Sequence, residues 1–276
     1  MKSFAMFIAT ALFACFAHAT TYSTVDIYMD GDSTMFGWAM SGGTMTCNDG
    51  TTTSGCTTND YGHNMANGTM SQQQHNEPAE VLLDMAAAFG AGTVTVENHG
   101  VGGATVLDSI NGSADAVSGA SEYDCSVTTN ESATCGSLGS RLHASHAQIV
   151  VGKFLTNDQY RMSPSQFQTY VATWISTVQG NTNADGNPMV AVWEESSPIC
   201  RLDAPNVGPY LDAGRAAAAA AQPPVLVIDN HDWIYANYDW KPHLSDCVHP
   251  DNGLYATLGD RSATTMGRTV QLLLGR

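Results

Sequence analysis

Near the start of the chain an apolar run, Val25-Asp26-Ile27-Tyr28-Met29, leads into Asp30-Gly31-Asp32-Ser33-Thr34. A serine on a glycine-containing turn just past a strand is a place where a hydrolase presents an exposed nucleophile. Near the other end stands Asp246-Cys247-Val248-His249-Pro250, with an acid and an imidazole three residues apart. One loop can therefore supply both a general base and the carboxylate that orients it. The two segments provide nucleophile, base and orienter in the chain order Ser…Asp…His.

Two further segments carry groups suited to the same chemistry. Asn98-His99-Gly100-Val101-Gly102-Gly103-Ala104-Thr105 is rich in glycine, which lets backbone approach a ligand closely and point its N–H groups outward. Phe154-Leu155-Thr156-Asn157-Asp158 places an asparagine just past an apolar run, where its amide can face a developing oxyanion. Alone, the first reads better as a plain tight turn between strand and helix, and the alternative for the second is a helix cap.

These segments need a scaffold, and the apolar pattern predicts one. Short β-branched runs at Val25–Met29, Thr93–Glu97, Gln148–Phe154, Met189–Trp193 and Val225–Asp229 are bounded by Gly, Pro, Asn or Asp, as buried parallel strands are. Helical spacing appears over Pro78–Phe89, Ser163–Gln179 and Tyr210–Ala221. The last stretch, Leu254–Leu274, reads as helical from about Ser262. Alternating strand and helix implies an α/β protein, a three-layer α/β/α sandwich on a parallel sheet of about five strands. Each chemical segment then falls at the carboxyl end of a strand. Two stretches without apolar periodicity, Ser41–Asn76 and Asp108–Leu142, read as long surface loops shaping a cleft.

Composition narrows the function classes. The chain has 276 residues and a net charge of −16 with only ten Lys plus Arg, which disfavours nucleic acid and anionic membranes as partners. Residues 1–19 read as a secretory signal: Lys2, an apolar stretch from Phe4 to Phe16, and Ala17-His18-Ala19 as a small-x-small cleavage site. A single domain over 20–276 follows, secreted or periplasmic, with no stable membrane insertion. Lipid anchoring at Cys15 is the weaker reading, because Phe13 sits where a smaller residue is usual. Six cysteines remain, Cys47, Cys56, Cys125, Cys135, Cys200 and Cys247, an even number that suits disulfides in an exported chain. Local closure favours Cys47–Cys56 and Cys125–Cys135, leaving Cys200–Cys247 to tie the Asp246–His249 loop to the end of the fourth strand. No Cys-x-x-Cys pair suggests zinc, and neither metal nor cofactor is expected.

Taken in order, the four blocks Gly31-Asp32-Ser33, Asn98 to Thr105, Thr156-Asn157-Asp158 and Asp246-x-x-His249 resemble the GDSL/SGNH hydrolase family. The resemblance spans the chain after residue 19. It implies a flavodoxin-like sandwich and metal-free ester hydrolysis with Ser33 as nucleophile, His249 as general base and Asp246 as its orienter. It also implies an oxyanion hole from the Ser33 and Gly103 backbone N–H groups and the Asn157 side chain. Gly102 competes with Gly103, and alignment on Asn98 and Thr105 favours the latter. One departure stands out: Leu155 occupies a position where the family usually has glycine. The Gly-Asp-Ser-Thr start also resembles carbohydrate acetylesterases of this superfamily.

The reading is a secreted esterase for short acyl esters, with carbohydrate O-acetyl groups favoured. The partners are then small-molecule or polysaccharide esters. The competing readings are a lipase or arylesterase for more apolar esters, and a non-catalytic exported binding protein on the same fold. Trp233, Tyr235, Tyr238 and Trp240 precede the Asp246–His249 loop and suit either sugar stacking or ordinary packing. Asp229-Asn230-His231-Asp232 reads as a hydrogen-bonded loop, and His99 as a site neighbour or a helix cap. His143 and His146, spaced three apart, lack an acid cluster that would make them a metal pair.

Overall fold

A computed structural model describes residues 21–37, 45–46, 52–53, 75–112, 136–201, 204–244 and 246–276. Five strands, β1 (Val25–Gly31), β2 (Val94–Gly100), β3 (Ile149–Phe154), β4 (Val190–Glu195) and β5 (Leu226–Ile228), form one parallel sheet in the order β2-β1-β3-β4-β5. This is the flavodoxin-like strand order expected above. It places the topological switch point between β1 and β3, where open α/β sheets bind their ligands. Met45–Thr46 and Thr52–Thr53 pair as a separate two-residue antiparallel ladder.

Alternate residues of β1 face opposite layers. Ile27 and Met29 pack with Val81 and Met85 of α2 (Glu77–Phe89) and with Met266 and Val270 of α8 (Asn252–Leu273). Tyr28 faces the other layer, with Leu138 of α4 (Leu138–Ala144), Trp174 of α5 (Pro164–Gly180) and Leu211 of α6 (Gly208–Ala220). A third apolar cluster joins Ile234 of α7 (Asn230–Asn237) to Trp240, Leu244, Leu254 and Tyr255, with Cys200 packed against it. The described residues also include the short helices α1 (Ser33–Phe36) and α3 (Val106–Asn111) and 3₁₀ turns at Asp158–Tyr160 and Lys241–His243.

Several expectations need correction. The strands β2 and β4 run on to Gly100 and Glu195, past the end of their apolar signals, because backbone pairing continues through polar residues: Asn98 registers with Met29, and Glu194 with Lys153. The stretch Asp108–Leu142 is not loop at its ends. Thr105 caps α3 in a reciprocal capping box with Asp108, and Ser137 caps α4. The Asp229–Asp232 segment opens α7 and is not a loop. Helix α8 begins ten residues earlier than expected, at Asn252, with the Asp251 side chain accepting from Leu254 N at 3.0 Å. Its glycines hid the first turns from a propensity reading, yet Gly259 is there for contact: a Cβ would lie 2.3 Å from Cβ of Glu80 on α2.

Candidate active site

At the carboxyl end of β1, Asp32 is the N-cap of α1 and fixes the turn that carries Ser33. Its Oδ1 accepts from Thr34 N at 2.8 Å and from Thr34 Oγ1 at 2.7 Å, while Oδ2 accepts from Thr156 N at 3.2 Å. The same carboxylate thus shapes the serine turn and ties it to the segment leaving β3. Burial raises the Asp32 pKa, with the Thr34 hydrogen bonds acting against that rise. On the other side of β1, Val101 N donates to Gly31 O at 2.8 Å, and Asn98 Nδ2 donates to Phe36 O at 3.2 Å. Three chain segments therefore converge on one serine through backbone and capping bonds.

The fourth segment reaches it from 216 positions away: His249 Nε2 lies 2.8 Å from Ser33 Oγ. The other ring nitrogen, Nδ1, is 2.8 Å from Asp246 Oδ2. Asp246 Oδ1 accepts from the backbone N–H groups of Val248, at 3.0 Å, and His249, at 2.8 Å. Burial pushes the Asp246 carboxyl up, but these bonds and the adjacent imidazole outweigh it and hold the group below the ordinary carboxylate range. An ionised carboxylate can only accept, so Nδ1 carries the ring proton and Nε2 accepts from the serine hydroxyl. That is the tautomer in which Nε2 can remove a proton from the serine.

Gly103 and Asn157 stand on the loops after β2 and β3. Gly103 has φ 79°, a left-handed conformation that glycine adopts freely, and its carbonyl accepts from Arg161 at 3.0 Å. Asn157 Nδ2 donates to Ala104 O at 2.9 Å, which bridges the two loops. An amide nitrogen has two donors, and this bond uses one. Below them Asp158 accepts from Val106 N at 2.9 Å and Leu155 N at 3.1 Å, and burial pushes its pKa up to about 8. Leu155 has φ 141°, a region that L side chains rarely adopt. The backbone therefore takes the course a glycine would allow, and the leucine follows it under strain.

The Cys200–Cys247 disulfide is formed, with Cα atoms 4.7 Å apart, and Cys200 N donates to Cys247 O at 2.9 Å. It joins the segment after β4 to the Asp246–His249 loop. The candidate pairs Cys47–Cys56 and Cys125–Cys135, and the signal sequence with Cys15, lie outside the described residues. Among the described residues no helix is long and apolar enough to cross a membrane.

Other candidates stand apart from this relay. His99 is not a helix cap: it is buried, registers with Asp30 on β1, stacks on Tyr28 at 3.6 Å and is bonded to Glu97 at 3.0 Å. His143 is bonded to Thr182 O at 3.3 Å, while His146 pairs with Asp185 at 3.0 Å, so the two do not act together. Sequence reasoning missed the buried charges behind the site. Lys153 on β3 bonds Glu77 and lies 3.3 Å from Glu194 on β4. Ser262 of α8 donates to Glu77 Oε1 at 2.8 Å. A lysine inside an otherwise apolar strand is the signal that foretells such a partner.

The fold is shared with solved lipase/acylhydrolase and esterase structures. The chain superposes on a lipase/acylhydrolase from Enterococcus faecalis with a TM-score of 0.56 at 17% identity, covering 89% of this chain and 97% of that one. The native aryl esterase of M. smegmatis gives 0.54 at 14% identity, covering 90% of this chain and 100% of the other. A Corynascus thermopiles carbohydrate esterase family 2 enzyme, solved with its carbohydrate binding domain, gives 0.53 at 16% identity over 94% and 68%. No protein-family model matches the chain. No curated protein gives a significant match.

Proposed function

We propose that this protein is an exported serine esterase that cleaves short acyl esters, with O-acetyl groups of carbohydrates as the favoured class. The observation that carries the reading is the continuous hydrogen-bonded line from Ser33 through His249 to Asp246. In the proposed reaction His249 Nε2 takes the Ser33 proton as Oγ attacks the ester carbonyl. It then gives that proton to the departing alkoxide. Asp246 keeps the imidazole in the required tautomer and stabilises the transient imidazolium. Water, activated by the same imidazole, releases the acid from the acyl-serine. The oxyanion is assigned to the Ser33 and Gly103 backbone N–H groups and to the Asn157 amide, each donor contributing about 3 kcal/mol when aligned.

Export is supported by the Cys200–Cys247 disulfide, a bond that persists in oxidising compartments. The fold of the acylhydrolase and esterase neighbours is consistent with this chemistry. The test is Ser33→Ala, assayed on 4-nitrophenyl acetate and on acetylated xylan, beside labelling of the wild type by a serine-reactive phosphonate. The expected loss in kcat is about 10⁴-fold or more, with labelling abolished. Unchanged turnover in the variant refutes the assignment.

A further inference from the structure

A cavity of about 130 Å³ opens along the carboxyl ends of β3 and β4 and the start of α7. Leu155, Pro198, Val207 and Tyr235 supply apolar wall. Thr156, Gln159 and Ser197 also line it, and they are 6%, 4% and 3% exposed. Their side-chain oxygens, Thr156 Oγ1, Gln159 Oε1 and Ser197 Oγ, meet no hydrogen-bond partner among the described residues. The neighbouring polar groups are satisfied: Gln159 Nε2 donates to Thr156 O at 3.2 Å, and Ser196 Oγ donates to Phe154 O at 3.1 Å. Burying hydroxyl and amide oxygens unpaired is costly, and native structures rarely tolerate three in one place without a function.

The cavity is tied to the reacting serine from two sides. Thr156 N donates to the carboxylate of Asp32, the residue before Ser33. The wall from Ser196 to Ile199 leads directly into Cys200, whose disulfide partner Cys247 lies in the Asp246–His249 loop. Tyr235, exposed, lies parallel to His231 with ring centroids 6.3 Å apart, and both residues border the cavity. Of the four aromatics noted in the sequence, Tyr235 is the one that lines it.

We propose that this cavity is the subsite for the alcohol part of the ester and that it takes a sugar ring. The proposal rests on the esterase reading of Ser33. A hydrocarbon chain would fill the apolar wall but leave all three oxygens unpaired. A pyranoside presents hydroxyls that donate to Gln159 Oε1 and exchange hydrogen bonds with Thr156 and Ser197. Its C–H face meets Tyr235 and Pro198. Sites built to bond a substrate hydroxyl discriminate strongly against ligands that lack it.

The test compares the wild type with Thr156→Val/Ser197→Ala, which removes two hydroxyls and nearly conserves shape. The readout is the ratio of kcat/KM for an acetylated methyl xyloside to kcat/KM for hexyl acetate. It is measured beside the affinity for methyl β-xylopyranoside, which reports the subsite without any ester chemistry. The ratio is expected to fall about tenfold per hydroxyl, and xyloside affinity to fall with it. Thr156→Ser, which keeps a hydroxyl, should retain most of the ratio. If the double variant unfolds, Ser197→Ala alone carries the comparison. An unchanged ratio and affinity overturn the subsite, as does a wild type that binds no xyloside. A wild type that turns over no ester, yet binds xyloside through Thr156 and Ser197, overturns the esterase reading and leaves the subsite standing.

Discussion

Leu155 shows how one side chain holds an unfavourable conformation. At φ 141° a Cβ is strained, at about 1–3 kcal/mol. The backbone stays there because Leu155 N donates to Asp158 Oδ2, Gln159 N donates to Leu155 O at 3.1 Å, and the side chain is buried in the cavity wall. Glycine relieves the strain while alanine retains it, and both delete the buried isobutyl group. The usual order, in which glycine is less stable than alanine by about 1 kcal/mol, should therefore reverse here. Equilibrium unfolding of Leu155→Gly and Leu155→Ala checks this; an alanine variant more stable than the glycine one contradicts it. At the same scale Asp158, invisible as more than a neighbour of Asn157 in the sequence, anchors two backbone amides whose segments carry Gly103 and Asn157.

The element that presents His249 is short, contains Cys247 in a left-handed backbone conformation (φ 65°), and is bonded to Cys200, which packs against the apolar cluster of Ile234, Trp240, Leu254 and Tyr255. Its attachment to the segment after β4 is the Cys200–Cys247 bond, which spans 47 positions of sequence. Cross-links of that span contribute about 2–4 kcal/mol by restricting the unfolded chain. The larger consequence is positional. In the proposed mechanism the imidazole must stay within hydrogen-bond reach of Ser33, and small misplacements of a catalytic group cost rate heavily. The Cys200→Ser/Cys247→Ser variant should lose about tenfold or more in kcat, measured on 4-nitrophenyl acetate at a temperature where circular dichroism shows it folded. Full activity in that variant would remove the clamp from the mechanism.

Across the whole molecule, Lys153 links the sheet to the α2/α8 layer. It is fully buried, and burial alone would lower its pKa. The carboxylates of Glu77 and Glu194 outweigh that effect and keep the lysine charged. Glu77 is held low by Lys153 against its own burial, whereas burial and the Glu77 charge push Glu194 up. Replacing Lys153 by Met leaves a buried carboxylate without a counter-charge, at a cost of about 3–5 kcal/mol. For a chain of this size that corresponds to a melting temperature lower by about 10 °C. The deficit should grow with pH. Without Lys153, burial raises the folded-state pKa of Glu77 above its unfolded value. Stability is then retained below the unfolded pKa and lost as pH rises through the folded one. Melting curves of wild type and Lys153→Met at pH 5 and pH 8 test this, and a deficit that shrinks at pH 8 would show the sign to be wrong.

The strands and their parallel arrangement were legible because the sequence marks them locally, and so were Ser33, Asp246 and His249, the residues proposed as a relay. Buried strands read as β-branched runs, and the residues following β1, β2 and β3 are turn and capping types at strand ends. The pairing of Ser33 with His249 was legible only as chain order, and 216 positions separate them. The sheet order and the tie of the Asp246–His249 loop to Cys200, which packs against the cluster of Ile234 and Tyr255, accompany an approach to 2.8 Å. What the sequence concealed depends on neighbours distant in the chain. The helical start of α8 needs Gly259 against Glu80, Lys153 is stable only between two glutamates from other elements, and the cavity beside Thr156 exists only where three segments meet. Local propensity carries no record of such contacts, because burial and pairing are properties of the packed chain.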